Sequence, residues 1–81
     1  MDYPVIDPAG TGANLKRIIR DSGNTVAGIV EKLGLSDKST VYKWLRGDAL
    51  PGIDSLYALS VLLGVTMNDI LVAENTNRSV V

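Results

Sequence analysis

Hydrophobic residues recur at helical spacing in five short runs along the chain. The first three runs each place their apolar residues on one helical face, at Leu15, Ile18 and Ile19, at Val26, Ile29, Val30 and Leu33, and at Val41, Trp44 and Leu45. The last two runs lie at Ile53, Leu56, Leu59, Ser60, Leu62 and Leu63, and at Met67, Ile70 and Leu71. No run alternates with the two-residue period of a strand. The pattern predicts five short amphipathic helices in a compact all-α domain.

The second and third runs are separated by a helix stop that is followed at once by a helix start. Gly34 can take the left-handed conformation that ends a helix, and Ser36 or Asp37 then offers a side-chain oxygen to cap the next one. Pro51 and Gly52 prevent that helix from continuing. The stretch therefore predicts a helix-turn-helix whose second helix is about three turns long.

The other helix boundaries follow from capping and helix-breaking residues. The predicted starts are Thr11 or Gly12 for the first helix, Asn24 or Thr25 for the second, Ile53 or Asp54 for the fourth, and Thr66 for the fifth. Asp69 lies three residues after Thr66, an arrangement that resembles a capping box. We expect Gly64 to end the fourth helix.

Three regions are expected. Residues 1–10 should form an extended N-terminal arm, because Pro4, Pro8, Gly10 and Gly12 disfavour a helix there. This arm can lie across the core or a neighbouring subunit. Residues 11–73 form the helix-turn-helix domain, and residues 74–81, which show no periodicity, form a flexible tail.

The composition argues against an enzyme or a metalloprotein. The 81 residues include no cysteine and no histidine, so the commonest nucleophile, general base and zinc ligands are missing. We predict no catalytic residue, no metal and no cofactor. The chain begins without a secretory signal, and its longest nearly apolar stretch is too short for a bilayer. A cytoplasmic protein without membrane association is expected.

Charge is distributed unevenly along the chain. The net charge is −1 and the pI is about 5.1, values that do not by themselves suggest nucleic-acid binding. Residues 14–47, however, contain seven cations and three anions and have a net charge of +4, whereas the remainder has one cation and six anions and a net charge of −5. Because a local basic surface is what attracts phosphate, the central segment is a candidate for nucleic-acid binding.

The order of these elements resembles the helix-turn-helix domain of the Cro and phage-repressor type, the Xre family. The resemblance covers Thr11 to Val72, and its specific part is W-L-R-G-x-x-L-P followed by D-x-L-x-x-L-x-x-L-L-G-V. It implies a five-helix, lambda-repressor-like fold that binds double-stranded DNA sequence-specifically, as a repressor-like transcriptional regulator and a homodimer on DNA. The chain has Val30 where the family often has alanine, and one residue more than usual between Gly34 and Val41.

The resemblance also implies roles for individual residues. The candidates for base contacts in the major groove are Ser36, Asp37, Lys38, Ser39, Thr40, Tyr42 and Lys43. The candidates for phosphate contacts are the backbone near Thr25 and the side chains of Lys43, Arg46, Arg17 and Arg20.

Alternatives accompany several of these roles. Asp37 can equally be a helix cap that faces no base, Tyr42 can be a half-exposed residue at the core edge, and Trp44 is assigned to the core. Arg17 and Arg20 can be solvated surface residues. The alternative function is a protein-interaction module on the same fold, such as an antitoxin, an anti-repressor or a regulatory subunit, with a protein partner.

Overall fold

The computed structural model describes residues 4–74, and within that range it contains five helices and an isolated β-bridge. The helices are α1 (Pro8–Asp21), α2 (Val26–Leu33), α3 (Ser39–Arg46), α4 (Ile53–Leu63) and α5 (Met67–Ile70). The predicted five-helix, all-α architecture is confirmed. No helix in residues 4–74 has the length and apolar character needed to cross a bilayer.

The first helix begins earlier than the sequence predicted. Asp7 is its N-cap, because a carboxylate oxygen accepts a hydrogen bond from the backbone N–H of Gly10 at 3.0 Å. Pro8 occupies the first turn, where its missing N–H has no partner to lose. The expected start at Thr11 or Gly12 is therefore wrong, and only residues before Pro8 can belong to an extended arm.

Position 12 of α1 has room only for a glycine, because α3 lies directly against it. A Cβ added at Gly12 would collide with the backbone carbonyl oxygens of Trp44 and Leu45. From the other side, a Cβ on Gly47 would come within 2.6 Å of the Ala9 Cα. The first turns of α1 thus pack backbone to backbone against the end of α3, so a glycine that disfavours a helix locally permits this contact.

The core contains residues from all five helices. Its buried hydrophobic members are Leu15, Ile18, Ile19, Ile29, Val41, Trp44, Leu56, Leu59, Leu63 and Ile70. The assignment of Trp44 to the core is confirmed, since its exposed fraction is 5%. The inclusion of Ile53 in the apolar face of α4 was wrong, because Ile53 is 74% exposed at the first position of that helix.

The two ends of the domain pair with each other. The Asp7 N–H donates to the carbonyl of Val72 at 2.7 Å, and the Glu74 N–H donates to the carbonyl of Val5 at 2.7 Å. The buried Thr11 hydroxyl accepts a further bond from the Val72 N–H at 2.9 Å. The extended segment before α1 therefore lies along the segment after α5. The remainder of the predicted flexible tail, residues 75–81, lies outside the described residues.

The short helix α5 is held at both ends. The predicted capping box is present, because the Thr66 hydroxyl accepts from the Asp69 N–H at 3.0 Å and the Asp69 carboxylate accepts from the Thr66 N–H at 2.9 Å. At the other end, the amide of Asn14 donates to the carbonyls of Asp69 and Ile70. Since Asn14 belongs to α1, this contact ties α5 to the helix that also packs against α3.

Candidate nucleic-acid interface

The turn between α2 and α3 has the geometry that the glycine predicted. Gly34 has φ of 69° and follows the last residue of α2, and the Leu35 N–H donates to the carbonyl of Val30 at 3.0 Å. Residues 35–38 then connect to α3 without a helical turn of their own. This places the beginning of α3 at the end of a tight helix-turn-helix connection.

The N-cap of α3 is Lys38, and the Asp37 side chain, one residue earlier, binds the first residue of the helix, Ser39. The Asp37 Oδ1 accepts hydrogen bonds from the backbone N–H of Ser39, at 2.9 Å, and from the Ser39 hydroxyl. These bonds, first the one from the Ser39 hydroxyl, hold the pKa of the Asp37 carboxyl below its ordinary value. One carboxylate oxygen of Asp37 is thus engaged at the helix start, although Lys38 and not Asp37 occupies the N-cap position.

The entering end of α3 is open to solvent. Ser36, Asp37, Lys38 and Ser39 are exposed and Thr40 is half-buried. On the next turns Lys43 is exposed and Tyr42 is 43% exposed, whereas Val41 and Trp44 on the opposite face are buried. All seven base-contact candidates therefore lie on or beside one accessible end and face of α3.

The basic side chains at the entering end and exposed face of α3 differ in whether they form an ion pair. Among residues 4–74, no ion pair involves Lys38 or Lys43. Arg46, by contrast, has its Nε 2.9 Å from the Asp48 carboxylate, with both side chains more than half exposed. Pairing at the surface is weak and exchangeable, so Arg46 can still meet a phosphate, but the two lysines are the cations directly available.

On α1, two of the phosphate candidates are paired with the same acid. Arg17 lies 3.5 Å from the Asp21 carboxylate and Arg20 lies 3.3 Å from it. Arg17 also donates to the Asn14 amide oxygen at 2.6 Å. These contacts favour the interpretation that Arg17 is a solvated surface residue. Arg17 is also absent from the lining of the cleft between α1, α2 and α3.

A cleft of about 400 Å³ brings three of the candidates together from three elements. Arg20 of α1, Thr25 at the start of α2 and Tyr42 of α3 all line it, around a floor that includes Ile19 and Leu45. Thr25 caps α2 by accepting from the Gly28 N–H at 3.0 Å, and its own side chain is exposed. The N-terminal end of α2 therefore opens beside α3.

Lys16 was missed as a candidate by the sequence reasoning. It lines the same cleft, is exposed, and has no ion-pair partner among the described residues. The signal that identifies it is its spacing: Lys16 lies four residues before Arg20 and on the same helical face, whereas Arg17 shares a face with Asp21. Lys16 is thus better placed than Arg17 beside the start of α2.

Comparison with known families decides what this arrangement is. The family model described as helix-turn-helix matches residues 15–70, which is more than half of the chain. The protein belongs to the helix-turn-helix family. The resemblance to the Xre and Cro type is confirmed, and this helix-turn-helix protein is a DNA-binding regulator of transcription. The interaction-module alternative is not favoured.

Solved structures share the fold. The restriction-modification controller protein C.AhdI from Aeromonas hydrophila is 20% identical over 79% of this chain and 96% of its own, with a TM-score of 0.71. The DNA-binding domain of BldD is 25% identical over 82% of this chain and 94% of its own, with a TM-score of 0.68. No curated protein sequence matches the chain significantly.

Proposed function

We propose that this helix-turn-helix protein binds a specific operator as a homodimer and contacts the bases of the major groove through the entering end of α3. The observation that carries the proposal is the pair of exposed lysines, Lys38 at the N-cap of α3 and Lys43 within α3, which have no ion-pair partner in residues 4–74. The opposite face of this helix is buried. The DNA-binding domain of BldD, which shares the fold and 25% of its residues with this chain, binds DNA by its description, and this supports the same function.

The proposed base contacts lie immediately before α3 and in its first turn. Lys38 can donate to guanine O6 or N7, and the Thr40 methyl group can touch a thymine methyl group. Asp37 can accept from cytosine N4 only with the oxygen that does not bind Ser39. We therefore assign the main sequence preference to Lys38 and Thr40, with Ser36 and Ser39 as further hydrogen-bonding groups, and we assign Lys43 to a backbone phosphate.

The proposed phosphate contacts flank this end of α3. The backbone N–H groups at the start of α2, near Thr25, lie at the positive end of the helix dipole and suit a backbone phosphate. Two further cations, Lys16 and Arg20, line the cleft beside the start of α2. Arg46 adds positive charge in the last turn of α3. The acidic remainder of the chain disfavours tight binding at random sites, so specificity would rest on this local surface.

One recognition helix covers few base pairs, so useful specificity requires two copies with their recognition helices about 34 Å apart. A homodimer on DNA is therefore part of the proposal. Because the protein must reach its operator, we also place it in the cytoplasm of the cell.

The test is selection from a random double-stranded DNA pool at moderate salt, followed by sequencing of the enriched sites. We expect a two-fold symmetric motif with half-sites one helical turn apart. The doubly substituted Lys38→Ala/Lys43→Ala protein, which keeps the buried face of α3, is the matched control and should enrich nothing. If the folded wild-type protein also enriched no sequence, specific DNA binding by this surface would be excluded.

A further inference from the structure

Helix α4 presents a row of exposed hydrophobic side chains. Ile53 is 74% exposed, Tyr57 is 62% exposed and Val61 is 65% exposed, although Leu56, Leu59 and Leu63 on the other side of the helix are buried. The three exposed residues are spaced by four and therefore share one face, over about 12 Å of helix. We call Ile53, Tyr57 and Val61 the α4 stripe. Single exposed apolar residues are ordinary, but a continuous row of them marks an interaction surface.

Helix α4 itself is also poor in charge. Between Ile53 and Leu63 the only charged residue is Asp54, and there is no lysine or arginine. A helix whose outer face meets water normally has charged residues there, as α1 does with Lys16, Arg17 and Arg20. The composition of α4 fits a face that is covered by another apolar surface.

We infer that the α4 stripe is the homodimer interface and that its occupant is the α4 stripe of a second copy, packed antiparallel across a two-fold axis. This inference rests on the proposed function, which requires two copies. A two-fold interface must be self-complementary. The stripe meets that condition because Tyr57 lies midway between Ile53 and Val61: with Tyr57 at the axis, Ile53 of each copy faces Val61 of the other.

The same arrangement keeps the acidic residues apart. Asp54 lies three residues before Tyr57, so the two Asp54 positions are separated by about 9 Å along the helix axes alone. That separation exceeds the screening length of about 8 Å at physiological ionic strength. The antiparallel pairing therefore buries apolar side chains without placing like charges in contact.

The size of the stripe determines how strong such a dimer is. The exposed parts of three side chains per copy amount to on the order of 700 Å² for both copies, below the roughly 1,200 Å² of a stable standard interface. The free protein should therefore dimerise weakly. When two copies sit on adjacent half-sites, DNA raises their effective concentration and the same contact becomes cooperative binding.

A charge-pairing experiment tests this interface without depending on DNA. Self-association of the 81-residue protein is measured by sedimentation equilibrium up to millimolar concentration, for wild type, Tyr57→Glu and Tyr57→Lys. Each variant alone places two like charges at the two-fold axis and should weaken self-association at least about tenfold, whereas an equimolar mixture should regain it as a heterodimer. Val5→Glu and Val5→Lys, at another exposed hydrophobic residue, should leave it unchanged.

A second measurement separates this inference from the proposed function. Each Tyr57 variant should bind a DNA half-site as wild type does but lose cooperative binding to the complete operator. If the wild-type protein did not bind a half-site, the proposed function would be contradicted. The sedimentation experiment, which contains no DNA, would still test the dimer interface. A wild-type protein that stayed monomeric both free and on operator DNA would overturn the dimer interface, and the stripe would then belong to residues 75–81 or to another protein.

Discussion

At the scale of single residues, the position of α3 depends on two glycines that have no side chain. Gly12 and Gly47 let the backbones of α1 and α3 approach so closely that a methyl group at either would meet main-chain atoms. Main-chain atoms in packed helices cannot rotate away as a flexible side chain can. The glycines therefore help to determine where the end of α3 lies relative to α1.

Gly12→Ala should destabilise the domain despite the higher helix propensity of alanine. The new methyl group overlaps the carbonyl oxygens of Trp44 and Leu45, and overpacking of this kind costs about 1–3 kcal/mol. In a domain of this size the melting temperature should fall by roughly 4–8 °C for each kcal/mol. Gly52→Ser is the control, because a Cβ at Gly52 meets nothing within 4 Å. An unchanged melting temperature for Gly12→Ala would show that the two backbones are farther apart.

Lys43→Ala should weaken binding to all DNA sequences and reduce the salt slope of log K by about one unit. This is the effect of losing one phosphate contact, since each neutralised phosphate releases its counterions. The comparison is with Lys32→Ala, which removes an exposed lysine from the last turn of α2. Equal slopes for the wild type and Lys43→Ala, measured by titration at several salt concentrations, would remove Lys43 from the phosphate contacts.

At the scale of elements, short helices depend on their caps. Helix α5 has four residues, too few to be stable alone, and it is fixed by its capping box and by the Asn14 amide from α1. Helix α3 begins after an Asp37 side chain that accepts two bonds from Ser39. Both helix starts use a carboxylate as hydrogen-bond acceptor, so both are sensitive to acid.

Asp69→Asn should make stability less dependent on pH in the acid range. Hydrogen bonds from Thr66, first the one from its backbone N–H, lower the pKa of the Asp69 carboxyl in the folded state. A lowered folded pKa stabilises the protein above the unfolded pKa, and that contribution is lost as pH falls through the folded value, below about pH 4. Urea midpoints measured from pH 6 to pH 2 should fall less steeply for Asp69→Asn than for wild type. Equal slopes would contradict the charged cap.

At the scale of the whole molecule, α1 connects the candidate DNA-binding helix α3 to the rest of the domain. Its first turns contact α3, its Asn14 holds α5, and its Thr11 is bonded to the strand-like segment after α5. Because α3 and α4 also share the hydrophobic core, the proposed DNA-binding end of α3 and the exposed face of α4 are parts of one packed unit. A dimer made through α4 would hold two recognition helices at a fixed separation.

This rigidity predicts a strict dependence on half-site spacing. Inserting about five base pairs between the half-sites turns one of them to the opposite face of the duplex, since a helical turn is about 10 base pairs. Cooperative binding should then be lost, and an insertion of about ten base pairs should restore part of it. Band-shift titrations on the selected operator measure both. Cooperativity that survived the five-base-pair insertion would indicate a flexible connection between the copies.

The sequence by itself determined the number of helices, the turn at Gly34, the capping box of Thr66 and Asp69, and the burial of Trp44. These features depend on side-chain periodicity and on hydrogen bonds between residues a few positions apart. Which residues are candidates for DNA contact also followed from local pattern and family resemblance, although Lys16 was missed.

Only the tertiary structure decided the start of α1 at Pro8, the exposure of Ile53 and the pairing of residues 5–7 with residues 72–74. The exposure of Ile53 and the pairing of the two ends depend on contacts between residues far apart in the chain. The start of α1 has a local cap at Asp7, but its first turns also pack against the end of α3. Gly10 and Gly12 lower the local helix propensity, and nothing near them in the sequence shows that α3 packs there. Ile53 fits the apolar period of α4, yet its exposure depends on where that helix lies against the others.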